Sequence, residues 1–297
     1  KRDTGVLERG LGSVGGRARL FLVPRDDKAT TARSGAVYCR VLPSAPGPTS
    51  RPLFPLRAVG LSWIDARTGT WVAAGISAIL LTLLLYGVTA QAYFLSDDFV
   101  LIADASRGNL FRSWGPFLRP LVVLSYAVDY RIWGFDPFGF HLTNMLLHAA
   151  CDIGVASLAF CLARAAAIDR GRAIWLAALS AAMFLVLPAH SEVVSWISGR
   201  GDALATAFAL CSLTLYIRYL DAGKTMTLLL SGGVYLGALF SKELATTLPS
   251  AVILLGLALA FARPQDRSVV VRRTLLATSV FVALLLAYLL VRKITFG

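Results

Sequence analysis

Two adjacent carboxylates, Asp97 and Asp98, stand just past a membrane-length apolar run, Trp71 to Ala90, in the stretch Phe94-Leu-Ser-Asp-Asp-Phe-Val-Leu-Ile102. Carboxylates this close to a hydrocarbon core are costly unless they cap a helix, pair with a cation or do chemistry. Ser96 and the two Asp suit a helix N-terminus, where they accept backbone N–H bonds and meet the positive end of the dipole. The chemical alternative is a general base acting on a hydroxyl, or an oxygen ligand for a metal. Residue type and spacing leave both readings standing.

Four further stretches carry polar chemistry. Arg119-Pro120 opens an otherwise apolar segment; such an Arg either snorkels to lipid headgroups or holds a phosphate in its planar fork. In Phe138-Gly-Phe-His-Leu-Thr-Asn-Met-Leu-Leu-His148, the residues His141, Asn144 and His148 fall on one helix face. Two turns, roughly 10 Å, separate the histidines, so they cannot share a metal. The plain reading of this face is interhelical hydrogen bonding; the other is that His141, at the outer end, reaches a site there. The run from Leu187 to Asp202 gathers His190, Glu192, Arg200 and Asp202. Glu192, Trp196 and Arg200 recur at four-residue intervals, which predicts one face of a short helix, with Gly199 and Gly201 turning the backbone into the next span. In Ser241-Lys-Glu243, Ser241 is a natural N-cap and Glu243 suits a first turn, whereas Lys242 opposes the helix dipole and either pairs with neighbours of Glu243 or contacts an anion. Asp97, Asp98 and Glu192 could supply oxygen ligands to a divalent metal, but no spacing demands one. Cys39, Cys151, Cys161 and Cys211 form no CxxC pair and predict neither a metal site nor a disulfide framework.

The elements that must position these groups are membrane spans. The chain of 297 residues is 57% hydrophobic and 15% charged, with mean hydropathy +0.67, where ordinary globular domains carry about 25% charged residues. Seven apolar runs predict spans at 71–90, 139–163, 173–188, 202–219, 226–240, 245–261 and 274–291. The fold class is therefore all-α, a polytopic transmembrane helix bundle. Leu118 to Trp133, in the first outer loop, is read as amphipathic helix lying on the surface or tucked between spans. Of the 29 Lys and Arg, 12 precede Trp71 and most others lie in short loops. That is a topological distribution rather than a nucleic-acid-binding face. Placing the N-terminus in the cytoplasm puts nine of the remaining basic residues inside and eight outside. It also puts every polar motif above on the outer side.

Residues 1–70 form a separate basic segment rich in Arg, Gly, Ser and Pro, expected to be disordered or non-native. Gly10-Leu-Gly-Ser-Val-Gly15 matches GxGxxG but follows no predicted strand, so no dinucleotide site is expected. The first methionine is Met145, and the chain is expected to be a piece of a longer protein.

Residues 71–297 resemble the C-type (GT-C) glycosyltransferase superfamily, most of all the protein O-mannosyltransferase-like membrane proteins that carry tetratricopeptide repeats. The matching stretches, in order, are Ser96-Asp-Asp98, Arg119-Pro-Leu121, Trp133 to Asn144 with His148, Pro188-Ala-His-Ser-Glu192, Trp196-Ile-Ser-Gly-Arg-Gly-Asp202 and Ser241-Lys-Glu243. Leu187 departs from the pattern, where relatives often have His. The resemblance implies transfer of a sugar, at family level mannose, from a polyprenyl-phosphate carrier to a protein or glycan hydroxyl on the extracytoplasmic face. It implies an outer-loop carboxylate as base, Asp97 in preference to Asp98. It makes Arg119, His141, His190, Glu192, Arg200, Asp202, Lys242 and Glu243 substrate-binding candidates, with Arg119, Arg200 and Lys242 holding the leaving phosphate. The expected setting is a bacterial inner membrane. A transporter or flippase would place ionisable groups near the bilayer midplane, and these lie at span ends. A non-catalytic scaffold remains the other alternative.

Overall fold

A computed structural model describes residues 68–108 and 117–296, and every structural statement below concerns those residues. The expected segment 1–70 falls almost entirely outside them, as do Gly10 to Gly15, Cys39 and Arg112.

The described chain is helical, with no strand. Ten α-helices run in order: α1 (Thr68–Tyr86), α2 (Asp98–Ser106), α3 (Pro120–Trp133), α4 (Pro137–Ala165), α5 (Arg170–Val186), α6 (Ser191–Ser195), α7 (Arg200–Ala222), α8 (Thr225–Leu239), α9 (Leu248–Ala262) and α10 (Arg267–Phe296). Each of the seven expected spans falls on one of α1, α4, α5, α7, α8, α9 and α10. Five helical stretches are long and apolar enough to cross a membrane, making this an integral membrane protein. A sixth is broken: α5 meets the stretch Pro188–Ser195 at 57°. Pro188 forces that break, because it lacks an N–H and bars the preceding residue from helix. The seventh, α8, has 15 residues, about 22 Å of helix, short of a hydrocarbon core of about 30 Å.

Local chemistry sets the boundaries. Pro137 begins α4 and the Asp136 carboxylate accepts the Phe138 N–H at 3.0 Å. Asp169 caps α5 in the same way through Arg172 N. Gly223, in the left-handed region, closes α7, and Arg273 of α10 donates to the terminal carbonyls of Leu220 and Asp221 there.

Helix α4 is the hub, packed against α1, α5 and α7, while α8 lies on α7 and α9 on α10. One core joins α7, α8, α9 and α10 through Tyr216, Tyr235, Val252 and Phe281, all fully buried. A second, smaller core joins Phe94, α2, α3 and the start of α4 through Ile102, Tyr126 and Phe140. The expected helix of the first outer loop is α3, and it is tucked in rather than lying on the surface: Val122, Val123, Tyr126 and Asp129 are buried. The Leu121 N–H donates to Phe240 O at 3.3 Å, tying α3 to the end of α8.

The α9–α10 contact tolerates no added atom at Gly256, where a Cβ would stand 2.2 Å from Thr274 Oγ1 and 2.5 Å from the Tyr216 hydroxyl. Gly256→Ala is expected to cost about 1–3 kcal/mol. Gly233→Ala, with open space around it, is the control. Thermal unfolding in detergent checks this: a clear fall in Tm for Gly256→Ala alone is expected, and equal Tm values would refute the packing.

Candidate active site

At the end of the bundle where α1, α5 and α8 finish and α4, α7 and α9 begin, a cavity of about 470 Å³ opens. Its lining includes Asp97, Arg119, Glu192, Asp202 and Lys242, along with Tyr126, Trp196 and Ser198. Five of the charged residues singled out in the sequence therefore meet in one place, from segments separated by up to 145 positions.

The two adjacent aspartates diverge. Asp98 is buried beneath the cavity, and both of its oxygens are engaged. Oδ2 accepts the Leu95 N–H at 2.9 Å. Oδ1 accepts from Ser198 twice, from the N–H at 2.9 Å and the hydroxyl at 2.6 Å. Asp98 thus pins the turn between α1 and α2 to the segment before α7. Asp97 precedes α2 but makes no capping bond with its side chain. Its Oδ1 accepts only from the Ser96 hydroxyl, at 3.0 Å, and its carboxylate lines the cavity. Ser96 has φ of 39°, the strained left-handed region for a side-chain-bearing residue. That strain accompanies a turn which buries one carboxylate and leaves the next half-buried at the opening.

The cations are paired. Arg119 donates through Nε and Nη2 to Glu243 Oε2, at 3.0 and 2.6 Å, with its guanidinium 4.5 Å from the centre of the Phe117 ring. Lys242 Nζ lies 2.5 Å from Asp202 Oδ2. Glu243 does not line the cavity; it orients Arg119, which does. Ser241 is no N-cap, since its hydroxyl turns back to Gly237 O at 2.7 Å. Lys242 takes the cap position with no capping bond.

Arg200, expected to hold phosphate, is not brought to the cavity. Its side chain is fully enclosed: Nη1 stands 2.6 Å from Asp129 Oδ2, Nε donates to Asn144 Oδ1 at 2.9 Å and Nη2 to Phe140 O at 2.9 Å. The Tyr126 ring packs against it at 4.6 Å. The expected shared face of Glu192, Trp196 and Arg200 does not form, because the helix breaks at Trp196, which is extended (φ −95°, ψ 121°). Gly199 permits the tight re-entry: a Cβ there would stand 2.9 Å from Val193 Cα. The broken segment's carbonyls are collected from below. Asn144 Nδ2 donates to Trp196 O at 3.0 Å and the Tyr126 hydroxyl to Ile197 O at 3.0 Å. Burial pushes the Tyr126 phenol above its ordinary range, so it stays a neutral donor.

His141 is buried next to this network and does not reach the cavity. His190 also lies away from it. His190 Nδ1 is bonded to Phe184 O at 2.9 Å, and its ring packs with Phe184 and His148. Among the described residues no three His, Cys, Asp or Glu side chains gather closely enough to hold a metal ion. Sequence reasoning passed over Tyr126, Asp129 and Ser198. The signal for Asp129 was present: a carboxylate in the apolar run after Pro120 demands a buried partner.

With the bundle and cavity in view, the class is a polytopic helical membrane protein with a charged cavity at one end. The chain is similar to protein O-mannosyl-transferases. It is 34% identical over 203 residues to protein O-mannosyl-transferase Tmtc1 of Drosophila melanogaster, covering 62% of this chain and 22% of that protein. To protein O-mannosyl-transferase TMTC1 of Homo sapiens it is 33% identical over 172 residues, covering 50% and 19%. To human TMTC4, also named a protein O-mannosyl-transferase, it is 34% identical over 137 residues, covering 40% and 18%. The chain spans about a fifth of the length of these curated relatives. The expectation of a bacterial inner membrane finds no support in them, since all three are animal proteins. No protein-family model and no solved structure matches the chain.

The divergence of the aspartates predicts different stabilities. Asp98→Ala removes a buried carboxylate and strands the partly buried N–H groups of Leu95 and Ser198, at about 1–3 kcal/mol in all, and should lower Tm by several degrees. Asp97→Ala should change stability by no more than about 0.5 kcal/mol. Thermal unfolding of the two variants in detergent checks this, and equal losses would contradict the geometry.

Proposed function

We propose that the cavity is the active site of a membrane mannosyltransferase, which moves the sugar of a polyprenyl-phosphate carrier to an acceptor hydroxyl, with Asp97 as general base. One observation carries this reading: the only carboxylate of the Asp97-Asp98 pair open to the cavity shares its lining with Arg119 and Lys242. The names of the relatives supply the sugar and point to a protein acceptor.

In this scheme Asp97 accepts the proton of the acceptor hydroxyl as the hydroxyl oxygen bonds to the anomeric carbon. The bond from that carbon to the phosphate oxygen breaks, and its electron pair stays on the phosphate. Arg119 and Lys242 stabilise the charge that gathers there. Glu243 and Asp202 hold the two cations in place beforehand, so little reorganisation is left for the moment of reaction. Displacement from the opposite face inverts the anomeric centre. The cavity opens on the extracytoplasmic side when the start of α1 is cytoplasmic, and the inner helix ends and loops then carry Arg164, Arg170, Arg172, Arg263, Arg272 and Arg273.

Asp97→Asn and Asp98→Asn are compared with the parent in membranes supplied with radiolabelled polyprenyl-phosphate mannose and an acceptor peptide. A positioned general base contributes roughly 10²–10⁴-fold, so Asp97→Asn should lose about that much transfer with unchanged Tm. Transfer by Asp97→Asn at the parental rate would remove Asp97 as base. If the parent transfers no mannose and no other lipid-linked hexose, the transporter and scaffold readings take its place.

A further inference from the structure

Most polar groups around the cavity already hold one partner among themselves. Arg119 is bound to Glu243 and Lys242 to Asp202, Ser198 to Asp98, and Asp97 to Ser96. Glu192 and Trp196 are different. Both line the cavity, one turn apart along α6 and its end. Among the described residues the exposed Glu192 carboxylate meets no hydrogen-bond donor or cation. The half-buried Trp196 indole donates to nothing and stacks on no other ring.

The backbone beneath them is nevertheless held firmly. The Trp196 N–H donates to Glu192 O at 2.9 Å, and Trp196 O accepts from the Gly199 N–H at 3.0 Å. The same carbonyl accepts from Asn144 Nδ2 at 3.0 Å, and Asn144 is itself fixed by the buried Arg200. An aromatic side chain on a firmly held backbone, sharing a cavity with an unpartnered carboxylate, has a specific complement. It fits a neutral ring with an apolar C–H face to lay on the indole and hydroxyl groups to donate to the carboxylate. A hexose has both, and a bare phosphate has neither.

We infer that Glu192 and Trp196 form the hexose subsite of the cavity, distinct from a phosphate end at Arg119 and Lys242; this rests on the transferase reading above. The pair distinguishes a sugar-loaded carrier from the spent carrier phosphate. The loaded carrier engages both ends. The spent one engages the cationic end alone and leaves more readily.

The test measures equilibrium binding of two probes to the full chain in lipid nanodiscs: short-chain polyprenyl-phosphate mannose and the same polyprenyl phosphate without sugar. Trp196→Ala should weaken the mannosylated probe about tenfold, as loss of an aromatic contact would, and leave the bare phosphate within about twofold. Trp196→Phe should restore most of the difference, and Glu192→Gln should weaken the mannosylated probe alone by several-fold. These last two variants keep the question answerable if Trp196→Ala unfolds. Equal weakening of both probes, or of neither, overturns the subsite while leaving the transferase reading intact. Failure of the parent chain to bind either probe overturns that reading, and the subsite with it.

Discussion

The cavity depends on a charge that never reaches it. Arg200 is sealed in the core at the start of α7, and a guanidinium there is tolerable only because Asp129, Asn144 and the Phe140 carbonyl meet it. Breaking such a buried pair typically costs about 3–5 kcal/mol, because the surviving charge is left without compensation. What the expense secures is geometry. Asp129 belongs to α3 and Asn144 to α4, so one side chain fastens three helices at the level of the cavity floor. Asn144 and Tyr126 then add side-chain donors to the carbonyls of Trp196 and Ile197 at the break, which also accept from the Gly199 and Arg200 N–H groups. The segment carrying Glu192, Trp196 and Ser198 can be irregular at a membrane boundary because the carbonyls at its break, those of Trp196 and Ile197, meet donors below.

A second tie works from the other side. Asp98 joins the turn between α1 and α2 to Ser198, so the turn bearing Asp97 and the segment bearing Trp196 are fixed to each other rather than only to the bundle. The cavity rim is completed by two ion pairs, Arg119 with Glu243 and Lys242 with Asp202. These are partly exposed, and pairs of that kind add little stability. Their effect is to orient two cations toward one space. Structural cost is therefore borne in the layer beneath, and the layer above is left with side chains whose bonding capacity is open to a ligand.

Much of the helical layout was legible in the sequence, because a run of about 20 apolar residues has few alternatives to a span. The shortness of α8 was visible too, in a 15-residue run, whereas the break after α5 was missed, since the expected span 173–188 ran through Pro188. The direction of Arg200 was not. Four-residue spacing from Glu192 places it on a common face only if the helix is continuous, and the extended backbone at Trp196 defeats that. The pairing of Arg119 with Glu243 lies across 124 positions, where no local pattern reports it. The division of labour between Asp97 and Asp98 was equally hidden. Adjacent residues with the same side chain differ here only in which one the strained turn at Ser96 sends inward. Ser241 looked like a cap because capping is its commonest use near a helix start, but its hydroxyl serves the preceding helix instead.

The central claim is that this cavity takes a lipid-linked sugar by its phosphate. A cryo-electron microscopy map of the chain in nanodiscs, with and without polyprenyl-phosphate mannose, tests it most directly. The account predicts added density in the cavity, with the phosphate between Arg119 and Lys242 and the sugar toward Trp196. Ligand density elsewhere on the bundle, with the cavity unchanged, would contradict it.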